Sequence, residues 1–184
     1  MDDDRFAAVL SAARTGDSSA WEEIYKNLSP IVMGYLRSRR APDPEDLVGA
    51  VFLDLVRNLS RFQGNERDFR TWTLTIAHRR LVDALRKAKR RDAEIYTDRI
   101  SEAQVPSGDT ETEALDQLGS AQVRELLGGL SPDQQDVLLL RILGDLTIDE
   151  TAEVLGKRPG AVKALQRRGL AALKRKLGRL PPYP

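Results

Sequence analysis

The sequence predicts an all-α fold made of two small helical domains joined by an acidic, flexible linker. Three observations lead to this prediction. Apolar residues recur every three or four positions among charged ones, which is the spacing of one helix face rather than of a strand. Ser, Thr and Pro stand where helices are expected to start. A stretch rich in acidic residues and poor in apolar ones separates two helical parts. We place the boundaries at 1–91, 92–117 and 118–184.

Four apolar stripes predict four helices in the first domain. Asp17 or Ser18 is expected to cap the second helix. Pro42 and Pro44 mark the loop before the third helix, and the polar stretch 63–67 separates the third from the fourth. The stripes are Phe6, Val9, Leu10 and Ala13; Trp21, Ile24, Tyr25 and Leu28; Leu47, Val51, Leu55 and Leu59; and Phe69, Trp72, Ile76, Leu81 and Leu85.

The second domain has clear helix-start signals. Residues 131–134 read Ser-Pro-Asp-Gln, which places Ser at the N-cap, Pro at the first helical position and Gln where a capping box needs it. Residues 147–150 have the same capping-box pattern, with Thr at the N-cap and Glu at the third helical position. Gly156 suits the left-handed position that ends a helix. A basic helix with Val162 on its inner side follows a tight turn. This order predicts a helix-turn-helix, although a structural hairpin of two helices would carry similar caps.

Charge is distributed unevenly along the chain. The formal net charge is only +1, from 29 basic and 28 acidic residues. Residues 78–91 contain seven basic residues and one acidic residue, and 157–179 contain nine basic residues and no acidic one. Between them, 92–116 carries eight acidic residues and one basic residue. A single basic block is also what a solvated helix face looks like, but two blocks on two helical units indicate a polyanionic partner.

Composition excludes several functional classes. The absence of Cys removes disulfides, thiolate zinc sites and Cys nucleophiles, and a single His leaves neither a His-based metal cluster nor a Ser-His-Asp triad. We therefore expect no cofactor, no metal and no enzyme activity. No apolar run approaches the roughly 20 residues of a membrane helix. Acidic residues at 2–4 stand where a secretion signal needs positive charge, so a cytoplasmic protein is expected.

Six short motifs across both domains resemble the extracytoplasmic-function (ECF) sigma factors of bacterial RNA polymerase. The resemblance implies a dissociable subunit that directs promoter-specific transcription initiation. It implies core RNA polymerase, through its clamp helices and flap, promoter DNA and an anti-sigma protein as partners. The motifs are Ala20 to Tyr25, Pro44 to Val48, Phe69 to Trp72, Leu130 to Pro132, Leu146 to Ala152 and Gly160 to Lys163.

The resemblance also implies three contact surfaces. The residues implied to bind polymerase are Glu45, Asp46, Leu47, Phe52 and Leu55. Contact with the minus-ten element falls to Gln63, Asn65, Arg67, Trp72, Arg79, Arg80, Arg86, Lys87 and Arg90. Contact with the minus-thirty-five element falls to Arg158, Ala161, Lys163, Ala164, Arg167 and Arg168.

The residues themselves leave alternatives open on these surfaces. Phe52 and Leu55 continue an apolar stripe, so the residues alone favour a place in the core. The stretch 63–67 is also an ordinary polar turn, and Trp72 is also a packing residue. His78 is expected on the helix surface.

Two positions depart from the family pattern. Arg79 stands where the family commonly has Asn, and Arg158 occupies the place of a capping Ser. We expect Arg158 either to leave its helix without a side-chain cap or to contact a phosphate.

Two other functions were weighed. A stand-alone helix-turn-helix regulator explains the second domain but leaves the basic block at 78–91 and the acidic linker without a role. A nucleic-acid enzyme with Mg²⁺ held by Asp43, Glu45 and Asp46 lacks a convergent set of carboxylates and a glycine-rich nucleotide loop.

Overall fold

The structure of the protein is a computed structural model that describes residues 3–98 and 126–178. Within these two ranges the chain forms helices and connecting turns and contains no strand, so the all-α prediction is confirmed. Most of the predicted linker, 92–117, lies outside the described residues. The helices are α1 (Asp3–Arg14), α2 (Ser18–Ser38), α3 (Pro44–Asn58), a 3₁₀ turn (Leu59–Arg61), α4 (Glu66–Asp98), α5 (Pro132–Ile142), α6 (Ile148–Leu155) and α7 (Pro159–Leu177).

The predicted helix-start signals are confirmed. Asp17 is the N-cap of α2, and its carboxylate accepts a hydrogen bond from the Ala20 amide at 2.9 Å. Ser131 and Thr147 both form complete capping boxes. Pro44, expected in the loop before α3, is instead its first helical residue, where a missing amide hydrogen costs nothing.

The start of α7 differs from the starts of α5 and α6. Arg158 is its N-cap residue and makes no side-chain capping hydrogen bond. One of the two alternatives for Arg158, a missing side-chain cap, is therefore present. Gly156 ends α6 at φ 61°, in the left-handed region that suits glycine.

The core of the first domain contains most of the predicted apolar stripes. Phe6 and Leu10 of α1 pack against α2 and α4, with Phe69 and Leu81 buried on the inner side of α4. α4 continues as helix to Asp98, past the predicted domain boundary at residue 91. None of the helices in the described ranges is long and apolar enough to span a bilayer.

One hydrophobic core runs through both domains. Buried Leu138, Leu140 and Leu146 of the second domain belong to the same cluster as the core of the first. Gly144 sits where a Cβ atom would meet Leu74 Cδ1 of α4 at 2.7 Å. A Cβ there would also meet the Leu140 carbonyl oxygen of the same domain at 2.6 Å, so glycine is the residue that fits this close approach without displacing its neighbours. The predicted tether therefore connects two domains that pack together in this structure.

A polar cluster lies at the same interface and involves His78. Asp136 of α5 accepts hydrogen bonds from the Tyr35 hydroxyl at 2.8 Å and from Arg39 Nε at 2.6 Å. His78 Nδ1 lies 2.8 Å from the Tyr35 hydroxyl oxygen. Because that hydroxyl donates its proton to Asp136, Nδ1 of His78 is the donor to the tyrosine oxygen. The expectation that His78 is a helix-surface residue is wrong, since it reaches into the domain interface.

Candidate nucleic-acid interface

A cleft of about 920 Å³ opens between α3, the 3₁₀ turn and α4 of the first domain and α6 of the second. We call it the α3–α4 cleft. It collects four of the predicted minus-ten residues along one wall and adds acidic and hydroxyl groups that the sequence did not single out. Its lining residues are Asp54, Asn58, Arg61, Phe62, Gln63, Asp68, Thr71, Trp72, Thr75, Ile76, Arg79, Arg80, Asp83, Glu150 and Glu153.

Aromatic rings form one part of this wall. Phe62 and Trp72 stack with centroids 5.2 Å apart and planes at 18°, and Phe69 meets both rings edge-on. Phe62 and Phe69 are buried, whereas Trp72 is half-buried and reaches the cleft. Trp72 is therefore a packing residue that also lines the cleft, and its contact with the minus-ten element stays a prediction. A partly open indole fixed by a second ring is a platform on which an unstacked base can lie.

The polar stretch between the 3₁₀ turn and α4 is shorter than the predicted 63–67, because α4 begins at Glu66. Asn65 and Asp68 exchange hydrogen bonds, with the Asp68 amide donating to Asn65 Oδ1 at 3.0 Å and the Asn65 amide donating to Asp68 Oδ2 at 2.9 Å. Gly64 has φ 147°, and a Cβ there would lie 2.6 Å from Asp68 Oδ2. The Asn65 side-chain oxygen thus caps α4, which the sequence analysis missed. Gln63 is exposed and lines the cleft.

The basic residues at the cleft differ in their partners. Arg80 donates to Asp54 Oδ2 of α3, with Nε at 2.9 Å, so an acid already holds its guanidinium. Arg79 is exposed on the cleft wall. Arg67 lies in the first turn of α4 and makes a two-pronged ion pair with Glu150 of α6. The pKa of Arg67 is raised by its hydrogen bond to Glu150.

Glu150 keeps its charge in this pair. Burial pushes its pKa upward, but hydrogen bonds from Arg67 and from Thr147 outweigh that effect, and its pKa lies below the ordinary value. In this arrangement the charge of Arg67 is therefore compensated by a carboxylate of the other domain.

A second groove, of about 420 Å³, lies where α4 passes the start of α3. It gathers Arg80, Arg86, Lys87 and Arg90, all predicted to contact the minus-ten element, beside Asp46 and Leu47, which are predicted to bind polymerase. Arg86, Lys87 and Arg90 are exposed. This basic groove is a suitable path for a phosphate backbone.

The predicted polymerase surface needs one correction. Glu45 and Asp46 are exposed and Leu47 is half-buried, but Phe52 and Leu55 belong to the core, with 8% and 0% of their surface exposed. Those two side chains pack inward and are not a contact surface. The hydrogen bond from Arg37 lowers the pKa of Glu45.

Two outward residues of α3 were missed by the sequence analysis. Leu53 and Val56 are 55% and 51% exposed, and Tyr25 of α2, 48% exposed, has its ring 4.6 Å from that of Phe52. The helical periodicity of the sequence is enough to predict that they are exposed. Leu53 and Val56 each follow a buried residue by one position, so their side chains point away from the core. Exposed apolar side chains next to Glu45 and Asp46 make a mixed acidic and apolar face on α3. We call it the α3 outer face.

Helix α7 presents its basic residues to solvent. Val162 is fully buried, while Ala161, Lys163, Arg167 and Arg168 are exposed and Ala164 is half-buried. Within the described ranges, no ion pair or hydrogen bond joins Lys163, Arg167 or Arg168 to another side chain. Arg158 is exposed at the helix start. These side chains are free to meet base edges or phosphates.

No group of three or more His, Asp or Glu residues suited to hold a metal ion occurs in the described part of the chain. Asp43, Glu45 and Asp46, weighed above as Mg²⁺ ligands, are not gathered into such a group. Glu45 is paired instead with Arg37, at 2.7 Å.

Comparison with known protein families gives two matches that together span most of both domains. Residues 24–91 match the family described as Sigma-70 region 2, and residues 120–173 match Sigma-70, region 4. The ECF RNA polymerase sigma factor BldN of Streptomyces coelicolor is 32% identical over 178 residues, which cover 96% of this chain and 67% of BldN. The ECF RNA polymerase sigma factor ShbA of Streptomyces griseus is 31% identical over 176 residues, covering 91% and 92% of the two chains.

Solved structures share the fold. CnrH, solved in complex with the cytosolic domain of CnrY, superposes with a TM-score of 0.67 at 22% identity, covering 94% of this chain and 97% of CnrH. The sigma factor RpoE of Bartonella quintana, solved with the anti-sigma factor NepR, gives a TM-score of 0.66 at 19% identity, covering 88% and 98%.

Proposed function

The chain belongs to the ECF sigma factors of bacterial RNA polymerase, and we propose that it binds core polymerase through the α3 outer face and reads a promoter with both domains. In this proposal the α3–α4 cleft holds the melted minus-ten strand, and α7 enters the major groove of the minus-thirty-five element. The protein itself performs no covalent chemistry. It acts in the cytoplasm, on the nucleoid when it is bound to polymerase.

The observation that carries this proposal is that one chain has two different surfaces whose chemistry suits nucleic acid. The α3–α4 cleft combines an aromatic platform at Trp72 with a neighbouring basic groove, which suits an unstacked single strand. The α7 helix offers exposed cations at the start of the second helix of a helix-turn-helix, which suits duplex DNA. A stand-alone regulator needs only the second surface.

The α3 outer face supports polymerase binding. Glu45 and Asp46 supply negative charge at the start of α3, and Leu53 and Val56 supply exposed apolar surface along the same helix. Exposed acids can steer a basic partner, and apolar side chains that become buried on binding supply affinity. This combination fits a helix-on-helix contact with the polymerase clamp.

Two leucines of α3 offer a matched pair for testing this surface. Leu53→Ala removes an exposed side chain, so we expect little change in stability and a severalfold loss of affinity for core polymerase in gel filtration or fluorescence anisotropy. Leu55→Ala empties part of the core and is expected to lower the free energy of unfolding by about 2–5 kcal/mol. Unchanged polymerase affinity in Leu53→Ala would remove the α3 outer face from the proposal.

Co-elution of the purified chain with core polymerase separates a sigma factor from a stand-alone regulator. The expected result is a stable complex that starts run-off transcription on a genomic library. DNA binding without any polymerase complex would favour the regulator. Transcription from the library would at the same time identify the promoter sequence.

An anti-sigma protein is a further proposed partner. CnrH and the Bartonella quintana RpoE were both solved with a bound partner, which in the second case is the anti-sigma factor NepR. A regulator of this class would cover the exposed surfaces of both domains. Purification of the chain from its native host with a stoichiometric inhibitor is the expected result, and isolation without one would count against this partner.

A further inference from the structure

Arg61 is an unpaired cation beside the aromatic platform at Trp72. It ends the 3₁₀ turn, is exposed and lines the α3–α4 cleft. It directly precedes Phe62, whose ring stacks on Trp72 with centroids 5.2 Å apart. Within the described ranges, no ion pair or side-chain hydrogen bond involves Arg61. A free guanidinium therefore lies next to the surface on which a base can stack.

Hydrogen bonds hold the backbone around Arg61 in place. The Phe62 amide donates to the Leu59 carbonyl at 3.1 Å, and the Phe62 carbonyl accepts a hydrogen bond from Arg14 Nη2 at 2.5 Å. Leu59 and Phe62 are themselves buried, with 3% and 8% of their surface exposed. Arg61 thus extends from a fixed piece of backbone, so binding through it requires little ordering of the main chain.

The charges on the cleft walls restrict where a phosphate can lie. Three bases line the cleft among the described residues, and one of them, Arg80, is paired with Asp54. Arg61 and Arg79 have no acidic partner in the same ranges. Because carboxylates repel a phosphate backbone and free guanidinium groups attract it, phosphate contacts in the cleft are confined to these two bases. The carboxylates that line the cleft belong to Asp54, Asp68, Asp83, Glu150 and Glu153.

The two free cations lie at different distances from the platform. Arg79 follows Trp72 by seven residues in α4, which places it two helical turns, about 10 Å, farther along the helix axis. Arg61 adjoins Phe62, whose ring packs directly on Trp72. Arg61 is therefore the cation placed next to a nucleotide whose base stacks on Trp72.

We propose that Arg61 is a further DNA-binding residue of the cleft, which contacts the phosphate of the nucleotide stacked on Trp72. The inference rests on the proposed function, because it takes the α3–α4 cleft to be the single-strand site. It adds a residue that neither the charge pattern nor the family resemblance indicated. Arginine suits this role, because its planar guanidinium can donate two parallel hydrogen bonds to phosphate oxygens.

Arg57 offers a matched control for Arg61. It lies one helical turn earlier, in the last turn of α3, is also exposed and unpaired within the described ranges, and lines neither groove. The probe is a fluorescent oligothymidylate of about 12 nucleotides, titrated with the full-length chain at a series of salt concentrations. Arg61→Ala should weaken binding severalfold and flatten the slope of log affinity against log salt by about 0.7, the value for one phosphate of a single strand. Arg57→Ala should change neither quantity.

Three further measurements test the role of Arg61 as a phosphate contact. Lysine keeps the charge at this place, so Arg61→Lys should retain the wild-type slope and most of the affinity. The loss in Arg61→Ala should be equal for oligothymidylate and oligocytidylate, because both have the same backbone. The double variant Arg61→Ala, Trp72→Ala should lose less affinity than the product of the two single losses, because both side chains hold one nucleotide. Circular dichroism should show the wild-type thermal midpoint for Arg61→Ala and Arg57→Ala, since both side chains are exposed.

Several results would overturn the assignment. A wild-type chain without measurable oligonucleotide binding, or Arg61→Ala with unchanged affinity and slope, removes the contact. Equal flattening in Arg61→Ala and Arg57→Ala would indicate overall charge instead. A loss with only one of the two oligonucleotides, or Arg61→Lys that binds as weakly as Arg61→Ala, would assign Arg61 to a base edge. Losses that multiply fully in the double variant would place it at another nucleotide.

Co-elution with core polymerase reports separately on the proposed function. A wild-type chain that co-elutes with polymerase but shows no difference between Arg61→Ala and Arg57→Ala loses the phosphate contact and keeps the function. A chain that shows the difference but never co-elutes keeps the contact and loses the function.

Discussion

The basic side chains of the two domains differ in how many of them form ion pairs with acidic side chains of the chain. Around the cleft, Arg67, Arg70, Arg80 and Arg86 each have an acidic partner within the chain. On α7, Lys163, Arg167 and Arg168 have no such partner among the residues that the structure describes. The first domain therefore presents a preshaped cleft beside which several of the bases are already paired, with Arg79 as an exposed exception on the cleft wall, and the second presents an open cationic helix face.

We therefore expect the two domains to bind DNA through different interactions. A phosphate that approaches Arg67 or Arg80 must replace an existing ion pair, so its net electrostatic gain there is small and aromatic stacking carries more of the affinity. A phosphate that approaches α7 displaces only counterions and solvent, so the second domain should dominate the salt dependence. Variants of the two surfaces should therefore lose affinity in different ways, with a change in salt dependence for α7 and without one for Trp72.

The double variant Lys163→Ala, Arg167→Ala should strongly weaken duplex binding. Two contacts worth about 1–3 kcal/mol each correspond to at least about a thirtyfold loss of affinity for a duplex selected from a random pool. The slope of log affinity against log salt should flatten by up to about two if both residues contact phosphates. Lys26→Ala, which removes an exposed base of α2, is the control and should change neither quantity. Unchanged affinity in the double variant would reject α7 as the recognition helix.

Trp72→Ala should reduce single-strand binding with little change in its salt dependence. Loss of one stacked base corresponds to about 1–3 kcal/mol, measured with a fluorescent oligothymidylate of about 12 nucleotides. Trp21→Ala is the matched control, because Trp21 is also half-buried but lies outside the cleft and donates its indole hydrogen to the Ala13 carbonyl. If both variants lose affinity equally, general destabilisation rather than stacking explains the effect.

The sequence predicted local structure well because helix signals are local. Asp17, Ser131 and Thr147 act within one turn of their own positions, and apolar period alone assigns the core face of each helix. The same local rules could have separated Leu53 from Leu55, because one position rotates a side chain by about 100° around the helix.

The domain interface could not be predicted in this way. Tyr35, His78 and Asp136 meet across three helices, and no spacing along the chain indicates their contact. Arg67 is similar, since its sequence position suggested DNA whereas its partner Glu150 lies 83 residues away. Contacts between residues far apart in the sequence depend on how the two domains dock. The spacing of residue types along the chain does not predict that docking.

Acidic pH should weaken the interface through His78. Burial lowers the pKa of His78 below its ordinary 6.5, with Asp136 opposing the shift and Arg39, Lys157 and Asp133 also facing the ring. The unfolded chain therefore takes up the proton more readily than the folded chain. The stability from His78 is fully present above about pH 6.5 and declines as the pH falls through the folded-state pKa.

Urea unfolding at a series of pH values between about 7.5 and 5 measures this decline. His78→Gln should flatten the part of the profile that His78 contributes. A wild-type profile that keeps its slope in the variant would assign the effect to carboxylates instead. The basic residues of α7 provide the contrast, because they keep their charge across this range.

Arg158→Ser addresses the start of the open cationic face and has the smallest expected effect. The Ala161 amide already donates to the Arg158 carbonyl at 2.9 Å, so a new hydroxyl cap should add only about 0.5–1 kcal/mol to the free energy of unfolding. Removing a cation from a helix N-terminus also relieves an unfavourable dipole interaction. Arg158→Ala shares that relief and the lost charge but adds no cap, so the stability difference between the two variants isolates the cap. If both variants also bind duplex DNA more weakly, Arg158 contacts DNA, and the missing cap of α7 is a cost in stability that accompanies this contact.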